Sequence, residues 1–280
     1  PRRFPDSPGG RRPPSAPHLC LANLDAQGRF SSELVHQLLS SEIQQQSLIA
    51  ELMEAVDRRG YQGIDVDFEY VPAEDARAYA RFLAQLRQVL RSRRLPLSAA
   101  LAAKTSANQP GRLYEGIDYH LIAQAVDFAL LMTYDWGYLS GPPMAVAPLP
   151  QVRKVVEYAL TEFSPEQLYL GIPNYGYNWP LPFREGNRAV SVNNVEAVRL
   201  AWNRHAAIRY DETAQAPWLR YVDEQGAEHE VWFEDARSIQ AKLNLALEYG
   251  LYGVGYWNLD RPFPQNWVVL NSMAQIRSGM

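Results

Sequence analysis

The chain has 280 residues, 47% of them hydrophobic, enough to bury one large core in a single domain. A formal net charge of −4 and a pI of about 5.8 leave no basic surplus to neutralise a phosphate backbone, so nucleic acid is not an expected partner. No apolar stretch approaches the roughly 20 residues that cross a bilayer, and no charged-then-apolar leader opens the sequence. No membrane span is expected, and an export signal would have to lie outside this chain.

Residues 1–17 hold Pro5, Pro8, Gly9, Gly10, Pro13 and Pro14, a composition that packs no core and reads as a disordered linker. A first residue of Pro rather than Met suggests a piece of a longer product. Order is expected from His18, so the folded domain is drawn over residues 18–280. Cys20, the single cysteine, lies in the apolar run Leu19-Cys20-Leu21-Ala22 and reads as a buried, inert thiol.

From His18 onward short apolar runs alternate with amphipathic stretches. Leu19–Asn23, Gly63–Phe68, Leu97–Ala102, Val126–Met132, Leu168–Pro173 and Leu251–Trp257 read as strands. Ser47–Arg59 and Ala73–Arg93 read as helices, with apolar residues three and four apart, such as Tyr79, Phe82, Leu83, Leu86 and Leu90. Strand-then-helix repetition implies a parallel α/β sheet, either open and doubly wound or closed as a barrel. Residues 177–238 break the rhythm. There Ile208–Asp211, Trp218–Val222 and Glu230–Phe233 read as antiparallel strands, the last two joined by the turn Asp223-Glu224-Gln225-Gly226, and the segment reads as a small α+β insertion.

The chemistry-bearing segment is Gly63-Ile64-Asp65-Val66-Asp67-Phe68-Glu69. On a strand, Asp65, Asp67 and Glu69 share one face and Ile64, Val66 and Phe68 the other. Like charges side by side raise at least one pKa and titrate together, which keeps a general acid protonated near neutral pH. By itself the alternation fits a solvated acidic strand or a metal site equally well. The apolar flank favours a buried strand.

With those residues in view, the segment resembles the fourth-strand signature of glycoside hydrolase family 18, the chitinase-like barrels. The resemblance implies a TIM-type (β/α) barrel and gives Glu69 the role of acid/base. Met132-Thr133-Tyr134-Asp135-Trp136 resembles the end of the family's sixth strand, which implies that Tyr134 and Asp135 touch the N-acetyl group and sugar hydroxyls, with Trp136 beside them. Gly171-Ile172-Pro173-Asn174-Tyr175-Gly176 is similar to the seventh strand and Gly255-Tyr256-Trp257-Asn258-Leu259-Asp260 to the eighth. These add Asn174 and Tyr175 as substrate-binding residues and Trp257 as the sugar platform. Trp136-Gly137-Tyr138, Gly141-Pro142-Pro143 and Ala147-Pro148-Leu149-Pro150 are similar to the spore-germination branch, N-acetylglucosaminidases acting on peptidoglycan. An insertion before the eighth strand also fits, with Trp179, Trp202, Trp218 and Trp232 as candidates for a cleft wall.

Gln62 stands where the family has its outermost acid. If Gly63–Phe68 is the fourth strand, the first two have no counterpart here. About 200 residues remain outside the insertion, against about 250 for eight units. The expectation is a barrel lacking two β/α units, with exposed edges that could associate in an otherwise monomeric protein, and with stability and activity gained on N-terminal extension.

The resemblance thus implies a glycosidase that cleaves β-linked N-acetylglucosamine in bacterial peptidoglycan by substrate-assisted retaining catalysis. Asp65 and Asp67 would support Glu69, no metal or organic cofactor would be needed, and the site of action would be extracellular, in the wall or spore. A chitinase acting on chitin oligomers and an inactive, lectin-like carbohydrate-binding protein are the alternatives.

Overall fold

A computed structural model describes residues 16–274; most of the linker expected over residues 1–17 lies outside the described residues. The chain divides into two compact units, one of residues 16–132 and 155–169, the other of residues 133–154 and 170–274. Each of the six runs expected to be barrel strands is a strand.

The first unit contains β1 (Leu19–Ala22), α1 (Ser32–Leu39), α2 (Glu42–Arg59), β2 (Ile64–Asp67), α3 (Ala76–Ser92), β3 (Leu97–Ala102), α4 (Tyr119–Ala125) and β4 (Phe128–Met132). Its strands lie side by side in chain order and are parallel, with Cys20 opposite Asp65, Asp65 opposite Ser98 and Ala99 opposite Ala129. Ile64, Val66, Leu97, Ala99, Leu101, Ala129 and Leu131 are fully buried. So are Tyr79, Phe82, Leu83, Leu86 and Leu90, the expected stripe of α3. Local chemistry sets the helix ends. The Ser41 side chain accepts from the Gln44 amide at the start of α2, and Gly60, at φ +70°, closes it with an N–H to the Val56 carbonyl.

Strand β1 departs from expectation. None of its four residues is fully buried, and Cys20 is exposed. The apolar run suggests a buried thiol, but only sheet neighbours and covering layers bury a strand, and the run itself carries no information on them.

The chain continues through α5 (Leu149–Ala159) and β5 (Leu168–Pro173). The second unit then contains β6 (Tyr175–Pro180), β7 (Val190–Asn193), α6 (Asn194–Asn203), β8 (Arg209–Asp211), β9 (Ala216–Val222), β10 (Glu228–Trp232), α7 (Ala236–Glu248), β11 (Gly253–Trp257) and α8 (Pro264–Met273). The Asn174 amide, just past β5, donates to the Trp257 carbonyl at the end of β11 (2.8 Å). A five-stranded antiparallel sheet runs β7-β6-β10-β9-β8. Its last three members are the three strands expected there. In the turn between β9 and β10, Asp223 Oδ1 accepts from the Gln225 and Ala227 amides, and Gly226 takes φ +82°.

One face of that sheet buries Leu219, Val231 and Phe233 against Ala197 and Ala201 of α6. Tyr175, Tyr177 and Trp179, alternating along β6, share a core with Val146 and Ala189. Between them, Gly176 is obligatory, because a Cβ there would collide with the Trp232 carbonyl oxygen. No described helix is long and apolar enough to cross a membrane.

Candidate active site

In the first unit the acids alternate with apolar residues as expected: Ile64 and Val66 are fully buried and Phe68 is 3% exposed, while Asp65, Asp67 and Glu69 are half-buried. Asp65 accepts a hydrogen bond from the hydroxyl of Ser98, its register partner on β3. Burial raises the Asp65 pKa, and the Ser98 bond opposes the rise. Asp67 is pushed up to about 6, first by desolvation and second by the charge of Asp65. Burial therefore contributes more than the repulsion anticipated from sequence. Oδ1 of Asp67 is buried and has no hydrogen-bond partner among the described residues.

Glu69 lies two residues beyond the end of β2 rather than within it. It is nevertheless fixed, because its amide donates to Asn23 Oδ1 and its carbonyl accepts from Asn23 Nδ2, both at 2.9 Å. Tyr70, the next residue, has φ +56°, a left-handed conformation that costs a non-glycine residue about 1 kcal/mol or more. Cys20 shows the electrostatics of the same strand pair: desolvation, then the charges of Asp65 and Asp67, push its thiol up to about 11. The thiol is exposed yet remains protonated at neutral pH.

In the second unit Tyr134, Asp135 and Trp136 follow the Thr133 hydroxyl, which donates to the Gly171 carbonyl at 2.7 Å. The Trp136 and Gly137 amides donate to the carbonyls of Val146 and Ala145, both at 3.0 Å, and a Cβ on Gly137 would collide with the Met144 carbonyl oxygen. Asp135 adopts φ +62°. Its Oδ1 accepts from the Tyr175 hydroxyl at 2.8 Å and the Tyr177 hydroxyl at 3.2 Å. The residue as a whole is exposed, yet desolvation of the carboxyl raises its pKa against the lowering effect of the two phenols.

Tyr134 meets Tyr175 edge-on, with ring centroids 6.5 Å apart. Asn174 and Tyr175 are buried at 1% and 5% exposure, whereas Trp257 is 56% exposed. Asn174 Nδ2 also donates to the Asn258 carbonyl at 3.3 Å. The second unit thus assembles Tyr134, Asp135, Asn174, Tyr175 and Trp257 as one connected set, and Trp136 is half-buried beside it in sequence.

Of the four tryptophans considered for a wall, Trp179 is not one: it is fully buried and its indole N–H donates to the Gly141 carbonyl at 2.8 Å. Trp218 and Trp232 stack on each other at 5.8 Å, and Trp202 is 82% exposed. Sequence reasoning missed Asn23, Ser98, Tyr177 and Arg261. Tyr177 carried a signal, since it lies two residues after Tyr175 and so on the same strand face. Among the described residues, no group of three or more His, Cys, Asp or Glu is arranged to hold a metal ion.

The sequence profile of Glycosyl hydrolases family 18 matches residues 28–261. The chain belongs to glycosyl hydrolase family 18. Within the family it is 46% identical over 259 residues to the cortical fragment-lytic enzyme of Bacillus subtilis, covering 92% of this chain and 60% of that protein. The crystal structure of the Bacillus cereus spore cortex-lytic enzyme SleL superposes with a TM-score of 0.90 at 43% identity, covering 94% of this chain and 60% of that one. A chitinase from Chromobacterium violaceum superposes with a TM-score of 0.86 at 25% identity, over 93% and 80% of the two chains. The family 18 α/β barrel fold expected from sequence is therefore established. The chain spans 60% of the length of the cortex-lytic relatives it matches.

Proposed function

We propose that this protein hydrolyses β-linked N-acetylglucosamine in bacterial spore cortex peptidoglycan, by a retaining mechanism in which the substrate's own acetamide is the nucleophile. One observation carries the reading: Oδ1 of Asp67 is a buried, unpartnered acceptor on a carboxyl whose pKa is pushed up to about 6, two residues before Glu69. A buried acceptor without a donor is costly, and the N–H of an acetamide would satisfy it.

Glu69 protonates the glycosidic oxygen while the acetyl carbonyl attacks the anomeric carbon, breaking the glycosidic bond and forming an oxazolinium-type intermediate. Asp67 orients the acetamide and stabilises the positive charge, and Asp65 adjusts the charge of Asp67. Water, deprotonated by Glu69, then opens the intermediate with net retention. Tyr134 holds the acetyl oxygen, Asp135 and Trp136 meet sugar hydroxyls, Asn174 and Tyr175 brace them, and Trp257 floors the sugar. The names of the Bacillus relatives support cortex peptidoglycan as the polymer, hence action at the spore, outside the cytoplasmic membrane.

Incubation with purified cortex peptidoglycan, chitin oligomers and cellulose tests the substrate. Release of reducing ends from cortex peptidoglycan above the other two is expected, and a preference for chitin oligomers would favour the chitinase reading. The anomer first released tests the mechanism. Retention with inhibition by a thiazoline mimic of the intermediate is expected, and inversion would overturn it.

A further inference from the structure

The second unit holds a cation that the proposed mechanism does not use. Arg261, half-buried, lies four residues after Trp257. Its Nη1 donates to Ser191 Oγ on β7 at 2.7 Å, and its guanidinium carbon stands 5.4 Å from the centroid of Tyr175, whose hydroxyl donates to Asp135. Ser191 is the register partner of Tyr177, the second phenol on Asp135. Arg261 therefore belongs to the same connected set as Asp135. Among the described residues, Arg87, Arg153, Arg220 and Arg237 each hold a carboxylate within 4.0 Å. Arg261 holds none, and Ser191 Oγ is its one acceptor there.

A guanidinium presents five N–H donors in a rigid planar fork that fits a carboxylate bidentately. Here the fork is already oriented, by the Ser191 hydroxyl and the Tyr175 ring, so little side-chain freedom is lost on binding an anion. Asp135 does not pair with it: no Asp135 carboxylate oxygen lies within 4.0 Å of the Arg261 guanidinium nitrogens, and its Oδ1 accepts from the two phenols.

Building on the functional reading above, we propose that Arg261 reads a carboxylate carried by the glycan. It thereby selects chains whose amino sugars bear acid groups over uncharged chitin. Chitin is a polymer of one neutral amino sugar. In peptidoglycan alternate sugars carry a lactyl ether, and wherever its carboxyl is not closed into a lactam it is either free or extended by a peptide that itself ends in a carboxylate. Only the second polymer offers the fork an anion.

The test compares binding of two glycan preparations by the whole protein carrying Glu69→Gln, so that neither is consumed. One preparation is peptidoglycan oligosaccharide with its carboxylates intact. The other is the same material after carbodiimide-mediated amidation, which removes the charge and leaves every sugar in place. The expected result is about 10–100-fold tighter binding of the unmodified glycan, the range of a hydrogen bond to a charged group. In Glu69→Gln/Arg261→Gln the ratio should fall toward one, and in Glu69→Gln/Arg261→Lys, which keeps the charge but not the fork, it should be intermediate.

A bracing role for Arg261, acting only through Tyr175, would weaken both preparations equally and leave the ratio intact. That result would overturn the proposal, as would equal binding of both preparations, or binding of neither, before Arg261 is changed. Hydrolysis of peptidoglycan by the unaltered protein is scored separately. Turnover with no charge preference sinks the role of Arg261 and keeps the functional reading, whereas an Arg261-dependent preference without turnover does the reverse.

Discussion

Asn23 holds Glu69 by both of its backbone groups: one carboxamide accepts from the Glu69 amide and donates to the Glu69 carbonyl, each at 2.9 Å. A side chain thus replaces the next rung of the β1–β2 ladder, whose pairing ends at Ala22 and Asp67. Asn23 Nδ2 also donates to the Ser31 carbonyl at 3.0 Å, tying the start of α1 to the same point, and Asn23 is 3% exposed. Glu69, the proposed general acid, owes its main-chain position to a residue 46 positions away in sequence.

Replacing Asn23 with Ala removes both of its hydrogen bonds to the Glu69 backbone and should cost about 1–3 kcal/mol of stability, measured by urea unfolding. The same variant should lower kcat more than it raises KM, because it loosens the acid rather than the sugar platform. A rise in KM with kcat unchanged would show that the clamp does not govern Glu69.

Asp67 should leave a signature in stability against pH. Its folded pKa of about 6 lies above its ordinary value of 3.8. Between those values the folded state keeps a proton that the unfolded state has released, so this group's contribution to stability is lost as pH rises from about 4 to about 6. Asp67→Asn should remove that component. Subtracting the two unfolding profiles should give a difference that declines through this window, and a flat difference would place the titration elsewhere.

Removing either phenol from Asp135 should raise its pKa further, since both hydrogen bonds act against the desolvation that already raises it. Tyr175→Phe should have the larger effect, its bond being 2.8 Å against 3.2 Å for Tyr177. Carboxyl carbon NMR titration of Asp135 in the two variants reads this directly, and a reversed order would mean that Tyr177 is the principal donor.

Much of the fold was legible because it rests on local pattern. The five large buried side chains of α3 and the alternation of Ile64, Val66 and Phe68 with the acids follow from periods of 3.6 and 2 alone. The failures share a cause. Cys20 was misread because the burial of a strand depends on what covers it. Glu69 was placed inside a strand because the pattern of alternation continues past the last ladder bond. Arg261 and Ser191, 70 residues apart, meet through tertiary packing that no local periodicity encodes.

The interior ion pair of Lys242 and Glu234, 2.8 Å apart at 1% and 0% side-chain exposure, should behave asymmetrically. Lys242→Met leaves Glu234 buried without its counter-ion and should cost about 3–5 kcal/mol in denaturant unfolding. Adding Glu234→Gln should recover a large part of that loss. A double variant as unstable as the single one would show that packing, rather than the uncompensated charge, sets the cost.

The exposed thiol beside the acid strand has a practical consequence. Cys20 is the one cysteine of the sequence, it faces Asp65 across the parallel ladder, and both Asp65 and Asp67 act on its proton. Its S–H stretching vibration falls in a spectral region free of other protein bands, so an unlabelled sample carries a single infrared reporter next to the two carboxyls. A frequency shift of that band through the titration of Asp67 would let proton movement in the acid strand be followed without substrate, mutation or dye.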